Sequence, residues 1–512
     1  MIAALASRRL SPWILVGVVA AGTFVTALDQ TVVITALPAI MADLKIPILR
    51  FESVIWVVTA YLLGYTAAMP LLGRLADVHG YRRIYLLSLA VFVIGTTLVA
   101  VAGQWAWLNA NVEPLHQIIA ARVIQAIGGG GAVPVSLAIA AALVSPAQRG
   151  LALGVVAGAA EAGSMLGPAY GGVVIELWGW RAIFWLNLPQ AAAIATALVF
   201  LPERRNPGAR MDYMGAVLLT AALILLCLAL AHNGLFELSS WMPWWLLAGC
   251  SMCMASLVVV HFRTAQPLLS SILLQSRAFI LANAVQLLVG VSLVVAMAST
   301  VIMANTVMNV PDRPVGPFTA ALWLLRMTAT IPVGAVVGGL LLRRFDARRI
   351  TVVGLGLIAT GMLRLSGWQI DIAEPRLTID MVLAGAGFGL VVAPLMHGAI
   401  ASARADYRAV AASMIVVARM LGMTLGIAVL SAWGINQMLA ILTETPSPLT
   451  MPGLDAEARS REFAEYRRFL QTASLDLFHA FYRAAGIIAV ISIVPALLMR
   501  PGTPEGSKTV GP

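Results

Sequence analysis

Apolar segments long enough to cross a bilayer recur along the whole 512-residue chain. Hydrophobic residues make up 60% of it and charged residues only 11%, whereas ordinary globular proteins carry about a quarter charged residues. A transmembrane helix needs about 20 apolar residues to cross roughly 30 Å of hydrocarbon. We therefore predict an all-α membrane protein with fourteen transmembrane helices, near 13–40, 52–73, 83–103, 116–143, 149–175, 181–201, 212–232, 243–262, 278–303, 317–342, 349–369, 377–400, 408–436 and 476–499.

The distribution of basic residues predicts the topology. The first apolar run follows Arg8 and Arg9 and is too long for a signal-peptide core, so we read it as an uncleaved helix. Cytoplasmic loops should hold an excess of Lys and Arg, and with both termini cytoplasmic the short outer loops hold only Lys45, Arg50, Arg181, Arg313 and Arg376. The net charge of +10 is thus the topology signal of a multi-pass protein of the cell (inner or plasma) membrane. Because the basic residues form no continuous patch, we expect no nucleic-acid partner.

The two halves of the chain carry an internal repeat. The loop after the second span, 73–84, matches the loop after the tenth, 339–350, at a Gly, an Arg pair and an Ile. Gly167 of the fifth span likewise aligns with Gly426 of the thirteenth. Many transporters are built from such repeats. We predict an N-terminal six-helix bundle at 1–205, a linker with an extra transmembrane hairpin at 206–270, and a C-terminal six-helix bundle at 271–512 with a long outer loop at 437–475. Within that loop, residues 458–473 carry apolar residues at roughly helical spacing, which predicts either an amphipathic helix at the outer interface or a solvated lead into the last span.

Several motifs follow one another over residues 28–189: Leu28-Asp29-Gln30-Thr31, Trp56-Val57-Val58-Thr59-Ala60-Tyr61, the 73–83 loop, Arg122, Gly167-Pro168-Ala169-Tyr170-Gly171-Gly172 and Trp180-Arg181-Ala182-Ile183-Phe184. Together they resemble the major facilitator superfamily. The span count is similar to its fourteen-helix drug:proton antiporter family, the QacA/EmrB type. A narrower likeness, carried by Glu161 just before Leu166-Gly167-Pro168 and by Arg419, is to mycobacterial-type triacylglyceride and drug exporters.

The resemblance implies a major facilitator fold of two six-helix bundles plus an extra helix pair. It further implies proton-coupled secondary export of hydrophobic or amphipathic compounds, of the multidrug efflux type, by rocker-switch alternating access. The alternative is export of lipids such as triacylglycerides to the outer envelope. The implied partners are a hydrophobic small-molecule or lipid substrate, protons and membrane lipids. A periplasmic or lipoprotein partner is left open.

The loop after the second span is implied to be a cytoplasmic gate, formed here by Gly73, Asp77, Gly80, Arg82 and Arg83. The family pattern has basic residues directly after the Asp and after the second Gly, where this chain has Val78 and Tyr81. We therefore expect Arg82 and Arg83 to carry the charge contacts of the gate. The first-helix motif also departs from the pattern, with Ile34 in place of an Asn. The alternative reading of the loop is a basic turn that only sets topology.

Asp29 and Arg122 lie well inside predicted spans, where a charge costs about 3 kcal/mol or more without a partner or a task. At a rise of 1.5 Å per residue, Asp29 lies roughly 25 Å and Arg122 roughly 19 Å from the inner face. Both therefore fall in the outer half of the membrane. We hypothesise that Asp29 carries the coupled proton and that Arg122 modulates it. The alternative is a structural ion pair that orients helices.

Glu161 and Arg419 lie at one depth on two helices that the repeat makes equivalent. They are roughly 18 Å and 16 Å from the inner surface on the same helical rise. We predict an interdomain ion pair between them, a latch that breaks as the halves rock. A purely structural ion pair is again the alternative.

The fifth span carries a predicted helix-crossing motif of Gly163, Gly167, Pro168, Gly171 and Gly172. Glycine permits close approach of helices and proline removes a helical hydrogen bond, so we expect a tight crossing or hinge at the domain interface. The run Gly128–Gly131 is not a phosphate loop, because no Gly-Lys-Ser/Thr follows it. We therefore predict no ATPase.

Other chemistries lack a constellation in the sequence. The six His residues are dispersed, so we predict that the protein is not an enzyme, and a channel would need a pore-lining ring. Cys227, Cys250 and Cys253 lie in apolar spans and read as packing residues, with no metal site or cofactor. Substrate identity, proton stoichiometry, oligomeric state and the roles of Arg326, Arg364 and Arg483 do not follow from the sequence.

Overall fold

A computed structural model describes residues 11–46, 51–105, 109–202, 208–230, 241–308, 317–444 and 456–499. Within these ranges the chain forms helices and no strand. The long helices are α1 (Pro12–Asp43), α2 (Phe51–His79), α3 (Tyr81–Val101), α4 (Pro114–Leu143), α5 (Arg149–Trp178), α6 (Trp180–Leu198), α7 (Tyr213–Leu230), α8 (Met242–Arg263), α9 (Arg277–Thr306), α10 (Pro317–Leu341), α11 (Ala347–Leu365), α12 (Glu374–Ala401), α13 (Arg408–Glu444) and α14 (Ala456–Leu498).

Twelve of the described helices are long and apolar enough to cross a membrane, so the predicted count of fourteen spans is not confirmed. The other two long helices, α6 and α11, have 19 residues each. Polar residues explain the difference, since α11 carries Arg348, Arg349 and Arg364, and α6 carries Arg181 and Asn187. Both helices nevertheless pack inside the bundle, α6 against α3 and α11 against α12.

Local sequence fixes several helix ends. The Ser11 side chain accepts a hydrogen bond from the N–H of Ile14 and so caps α1, with proline at the first helical position. Gly80 joins α2 to α3 at φ 102°, and Gly179 joins α5 to α6 at φ 81°. Glycine adopts positive φ without the steric cost of a Cβ. These one-residue turns return the chain directly into the next helix.

The packing of the helices follows the sequence repeat. In the first half α1 packs on α5 and α4 on α2 and α3, and in the second half α9 packs on α13 and α12 on α10 and α11. Across the halves, α5 meets α10 and α13 meets α2. The extra pair lies outside, with α7 against α2 and α8 against α7. The predicted division of the chain into three units stays a prediction.

The two ends of the bundle are named here by their turns. The "Gly80 end" holds the α2–α3 turn, the starts of α5, α7, α9, α11 and α13, and the ends of α8 and α14. The opposite, "Gly179 end" holds the α5–α6 turn. These names carry no assignment of membrane side.

Much of the predicted outer loop at 437–475 is helical. Helix α13 continues to Glu444, and α14 already begins at Ala456. The reason is composition, because residues 456–485 contain no Gly or Pro and are rich in Ala, Arg, Glu and Leu, which are strong helix formers. Residues 206–207 and 231–240 of the predicted linker and hairpin lie outside the described residues.

Candidate functional site

Asp29 of α1 lies in a fully buried polar cluster inside the first half. Its Oδ2 accepts a hydrogen bond from Nη1 of Arg122 at 2.8 Å. Its Oδ1 accepts from Nε2 of Gln125 at 3.0 Å and from Nδ2 of Asn187 at 2.7 Å. Both partners of the ion pair have fully buried side chains. Every one of these side-chain contacts brings a donor to a carboxylate oxygen, so both oxygens of Asp29 are hydrogen-bonded.

Aromatic and polar groups complete the surroundings of Arg122. The Tyr61 ring lies 3.9 Å from the guanidinium carbon, a cation–π distance. Nη1 of Arg122 also donates to Oε1 of Gln125 at 2.7 Å. Asn187 donates to Thr96 Oγ1 at 3.2 Å, which brings α3 into the cluster. The pair expected at Asp29 and Arg122 is therefore present, and the cluster joins α1, α2, α3, α4 and α6.

Glu161 and Arg419 form the ion pair expected between the halves. Nη2 of Arg419 donates to Oε2 of Glu161 at 2.9 Å, and Nη1 pairs with Oε1. This two-bond geometry is the strong form of an Arg–carboxylate contact. The Arg419 side chain is 12% exposed and the Glu161 side chain 17%, whereas both side chains of the Asp29–Arg122 pair are fully buried. The pair thus links α5 and α13, and both of its side chains are partly accessible.

At the Gly80 end, Asp77 of α2 binds the start of α13 in the other half. Its carboxylate oxygens accept hydrogen bonds from the backbone N–H groups of Ala409 and Val410, both at 3.0 Å. The Tyr81 hydroxyl donates to the same carboxylate at 3.1 Å. A helix N-terminus leaves its first N–H groups unpaired and favours an anion. Asp77 therefore caps a helix of the opposite half and joins the two halves at the Gly80 end.

Arg74 of α2 makes a second set of contacts between the halves at this end. Its guanidinium is fully buried, donates to the carbonyl of Asp406 at 2.7 Å, and lies 3.9 Å from the centre of the Tyr407 ring. Arg82 instead donates to Leu201 O at 3.4 Å in its own half. Arg83 is exposed. The expected gate role of Arg82 and Arg83 stays a prediction, and Arg74 is a further residue near this loop that contacts the second half.

Glycines allow the halves to touch at this end, and they do so in symmetric positions. A Cβ on Gly73 would lie 2.9 Å from Ala409 O at the start of α13. A Cβ on Gly339, its counterpart in the repeat, would lie 2.4 Å from Gly150 O at the start of α5. Neither position has room for a side chain, so backbone meets backbone at both crossings.

The expected helix-crossing motif of α5 packs within the first half. Cβ atoms on Gly163, Gly167 and Gly171 would each come within 2.4 Å of an atom of α1. Gly172 has open space instead, with no described atom within 4 Å. The expected place of this motif at the domain interface is therefore wrong. Pro168 lies in the interior of the same helix.

A different set of α5 glycines makes the contact between the halves. Cβ atoms on Gly150, Gly154 and Gly158 would approach backbone carbonyls of α10 to 3.0 Å or less. The spacing of four residues places them on one face. That spacing is visible in the sequence and was the available signal for this interface.

Three basic residues without a predicted role divide into two groups. Arg326 pairs with Glu374 at 2.6 Å, and Arg364 pairs with Asp380, a fully buried carboxylate that also accepts from Trp368 Nε1 at 3.0 Å. These are ion pairs within the second half. Arg483 remains without an assigned role.

The comparisons with known proteins agree with this architecture. The family model described as Major Facilitator Superfamily matches residues 19–427. A triacylglyceride transporter of Mycobacteroides abscessus is 34% identical over 448 residues, 84% of this chain and 84% of that protein. A triacylglyceride transporter of Mycobacterium tuberculosis is 32% identical over 494 residues, 92% of each chain.

Solved structures share the fold at low sequence identity. The human organic anion transporter MFSD10 has a TM-score of 0.58 and 16% identity, covering 95% of this chain and 100% of that one. The proton:xylose symporter XylE, bound to a glucose derivative, has a TM-score of 0.59 and 15% identity, covering 94% of both chains. The chain belongs to the major facilitator superfamily of transporters.

Proposed function

We propose that this protein exports triacylglycerides or similarly apolar lipids across the cell membrane. The observation that carries the proposal is the set of relatives named triacylglyceride transporters, which are 32–34% identical over most of the chain. The Glu161–Arg419 pair, which suggested this narrower likeness from sequence, bridges the two halves. Multidrug efflux, the other expected version of the mechanism, has no such support among these relatives.

The Gly80 end is proposed to face the cytoplasm, with both termini on that side. Basic residues concentrate there, as the positive-inside rule expects. Among the described residues they are Arg74, Arg82, Arg83, Arg149, Arg210, Arg263, Arg277, Arg343, Arg344, Arg348, Arg349, Arg404 and Arg408. Closed contacts at this end then correspond to a transporter shut toward the cytoplasm.

Alternating access is proposed to work through two breakable contacts. Asp77 on the start of α13 holds the cytoplasmic end shut, and Glu161–Arg419 holds the halves together deeper in the bundle. Opening toward the cytoplasm requires Asp77 to leave α13 and the α5–α10 glycine crossing to separate. The exposure of Glu161 and Arg419 supports a latch that solvent or substrate can open.

Proton coupling is proposed to act at Asp29. The carboxylate accepts hydrogen bonds from three side-chain donors. Protonation would remove its negative charge, and with it the charge-assisted hydrogen bond to Arg122. Protonation would therefore release Arg122 and loosen the packing of α1 against α4. Because the cluster is sealed in this conformation, the proton must enter and leave in another one.

Purified protein in liposomes tests the proposal. The vesicles carry a fluorescent triacylglyceride, and a membrane-impermeant quencher reads the fraction in the outer leaflet. An imposed pH gradient should raise the quenchable fraction, whereas a cationic dye in a parallel sample should not move. Dye movement without lipid movement would assign drug efflux instead. Movement of neither compound would contradict export altogether.

A further inference from the structure

An apolar cavity of about 370 Å³ lies at the Gly80 end, outside the two six-helix bundles. Its walls come from α8 and from the short helix Ser271–Gln275 with the segment before it. The lining includes Met254, Leu257, Val258 and Phe262 of α8, together with Leu269 and Leu274. Small-molecule pockets in proteins have volumes of about 300–1,000 Å³ and mostly apolar walls. The cavity is therefore large enough for part of a ligand.

The position of α8 makes the surrounding lipid the neighbour of this cavity. Helix α8 is apolar enough to span a membrane, and none of its residues, all of which the structure describes, is buried. Phe262 at the cavity wall is 82% exposed and Val258 is 52% exposed. In a bilayer the exposed apolar side chains of a spanning helix contact acyl chains. The α8 wall of the cavity therefore faces the surrounding lipid.

The inner wall of the cavity belongs to a pair of crossing linkers, residues 208–212 and 264–270, called the strap here. Asp212 joins them, since its Oδ2 accepts from the N–H of Leu268 at 3.0 Å. Gln266 joins them again, because its Nε2 donates to Gly208 O at 2.9 Å. Asp212, Pro267 and Leu268 also line the cavity. A molecule in the cavity therefore packs directly on the strap.

The same strap is hydrogen-bonded to the gate. Nη2 of Arg74 donates to the carbonyl of Arg210 at 3.1 Å. The Tyr407 hydroxyl donates to the carbonyl of Pro267 at 3.2 Å. Arg74 and Tyr407 stack on each other across the two halves. A chain of contacts thus runs from the cavity wall through the strap to the gate.

We propose that the cavity binds one acyl chain of a bilayer phospholipid and that its occupation braces the strap and keeps the gate closed. An occupied cavity supplies the dispersion contacts that an empty one lacks, so it holds the strap segments in place. The exposed, apolar mouth on α8 favours a lipid of the membrane over a water-soluble ligand. The inference does not depend on which compound the protein exports.

Photolabelling tests the binding site with a matched pair of variants. The protein is placed in nanodiscs with a phospholipid that carries a diazirine near the end of one acyl chain, and labelled peptides are identified by mass spectrometry. Val258→Trp fills the cavity, whereas Val259→Trp changes an equally exposed neighbour, at 50%, that does not line it. We expect labelling of the cavity walls in the wild type, a several-fold loss in Val258→Trp and no loss in Val259→Trp.

Equal labelling of the two variants, or no label on the cavity walls of the wild type, would overturn the proposal. Labelling by a diazirine triacylglyceride in place of the phospholipid would also overturn it, because the cavity would then not hold a phospholipid of the bilayer. Size-exclusion profiles and melting temperatures establish that both variants fold. Met254→Trp, which narrows the cavity, and Met252→Trp, which does not, form a second pair.

The link to the gate has its own readout. Spin labels at Ala147 and Arg348, one in each half and both exposed, report the width of the Gly80 end by pulsed electron resonance after the three native cysteines are replaced. Removing lipid from the wild type should increase this distance. Val258→Trp should suppress most of the increase because the indole braces the strap, and Val259→Trp should behave as the wild type. The same increase in all three proteins would refute the coupling.

Discussion

Asp77 reaches across the molecule to cap the first turn of α13, with its Oδ2 3.0 Å from the backbone nitrogen of Val410. The two residues are 333 positions apart in the chain and lie in different halves. A charged cap at a helix N-terminus stabilises by about 0.5–2 kcal/mol. Because the cap joins the two halves, we expect that free energy to favour the conformation in which the Gly80 end is closed.

Asp77→Asn should shift the protein toward opening at the Gly80 end. Asn keeps one acceptor oxygen but loses the charge and one of the two backbone contacts, so we expect a loss of about 1–2 kcal/mol. That corresponds to roughly a 5- to 30-fold change in the ratio of closed to open forms. Distances between spin labels at the Gly80 end measure it.

Asp346→Asn is the matched control for Asp77→Asn. Asp346 lies at the same end, at the start of α11, and makes no side-chain cap bond to that helix. We expect its distance distribution to match the wild type. If Asp77→Asn also left the distribution unchanged, the cap would not hold the gate.

Two ion pairs were predictable from the sequence because helix geometry is regular. A rise of 1.5 Å per residue placed Glu161 and Arg419 at one depth, and their hydrogen bonds are present. Asp29 and Arg122 are likewise paired. The presence of Gln125 in the Asp29 cluster could have been predicted in the same way, since it lies three residues after Arg122 on the same helix face. Their roles in transport stay predictions.

The gate was only partly predictable, for a physical reason. Asp77 binds backbone N–H groups, which every residue except proline carries, so no side-chain pattern marks the partner. Asn187 of α6 donates a hydrogen bond to Asp29. This contact was not predictable, because a neutral amide inside a span does not stand out in the sequence as a charged residue does. The extent of α14 was only partly predictable, because helical spacing marks residues 458–473 but does not show that this polar part is continuous with the apolar span after it.

Gly339→Ala should prevent full closure of the Gly80 end. The added methyl would lie 2.4 Å from the carbonyl oxygen of Gly150, a backbone atom that can move only if α5 and α10 separate. We expect a longer distance between the halves at this end and reduced export in liposomes. The spin-label distance and the lipid-quenching assay measure the two effects.

Gly356→Ala provides the control for this substitution. Gly356 lies inside α11, and a methyl group added there would have no described atom within 4 Å. Alanine there favours the helix by up to about 1 kcal/mol, so distance and export should stay as in the wild type. An unchanged distance in Gly339→Ala would mean that the crossing tolerates a side chain.

Reversing the Glu161–Arg419 pair should reveal its contribution to transport. Glu161→Arg or Arg419→Glu alone places two like charges together, and each should abolish most export. The charge-assisted hydrogen bonds are worth about 1.5–3 kcal/mol. Combining both substitutions should recover part of the export. In melting measurements, a double-mutant cycle should give a coupling free energy of about 0.5–3 kcal/mol between the two positions. Export that stays at the single-variant level, with no coupling energy, would count against a direct latch.

Asp29→Asn should separate proton coupling from stability. The substitution leaves Arg122 fully buried without a counter-charge, which costs about 3–5 kcal/mol when one partner of a buried pair is removed. Adding Arg122→Gln should recover part of that stability in melting experiments, because the uncompensated charge is gone. Export driven by a pH gradient should stay absent in both variants if Asp29 carries the proton.

Asp380→Asn is the control that distinguishes a coupling role from a structural one. Asp380 is as deeply buried as Asp29 and pairs with Arg364, but it lies in the second half. We expect it to lower the melting temperature while export still responds to the pH gradient. Proton-driven export at the wild-type rate in Asp29→Asn would show that Asp29 only orients helices, and loss of the response in Asp380→Asn would place the proton site in the second half.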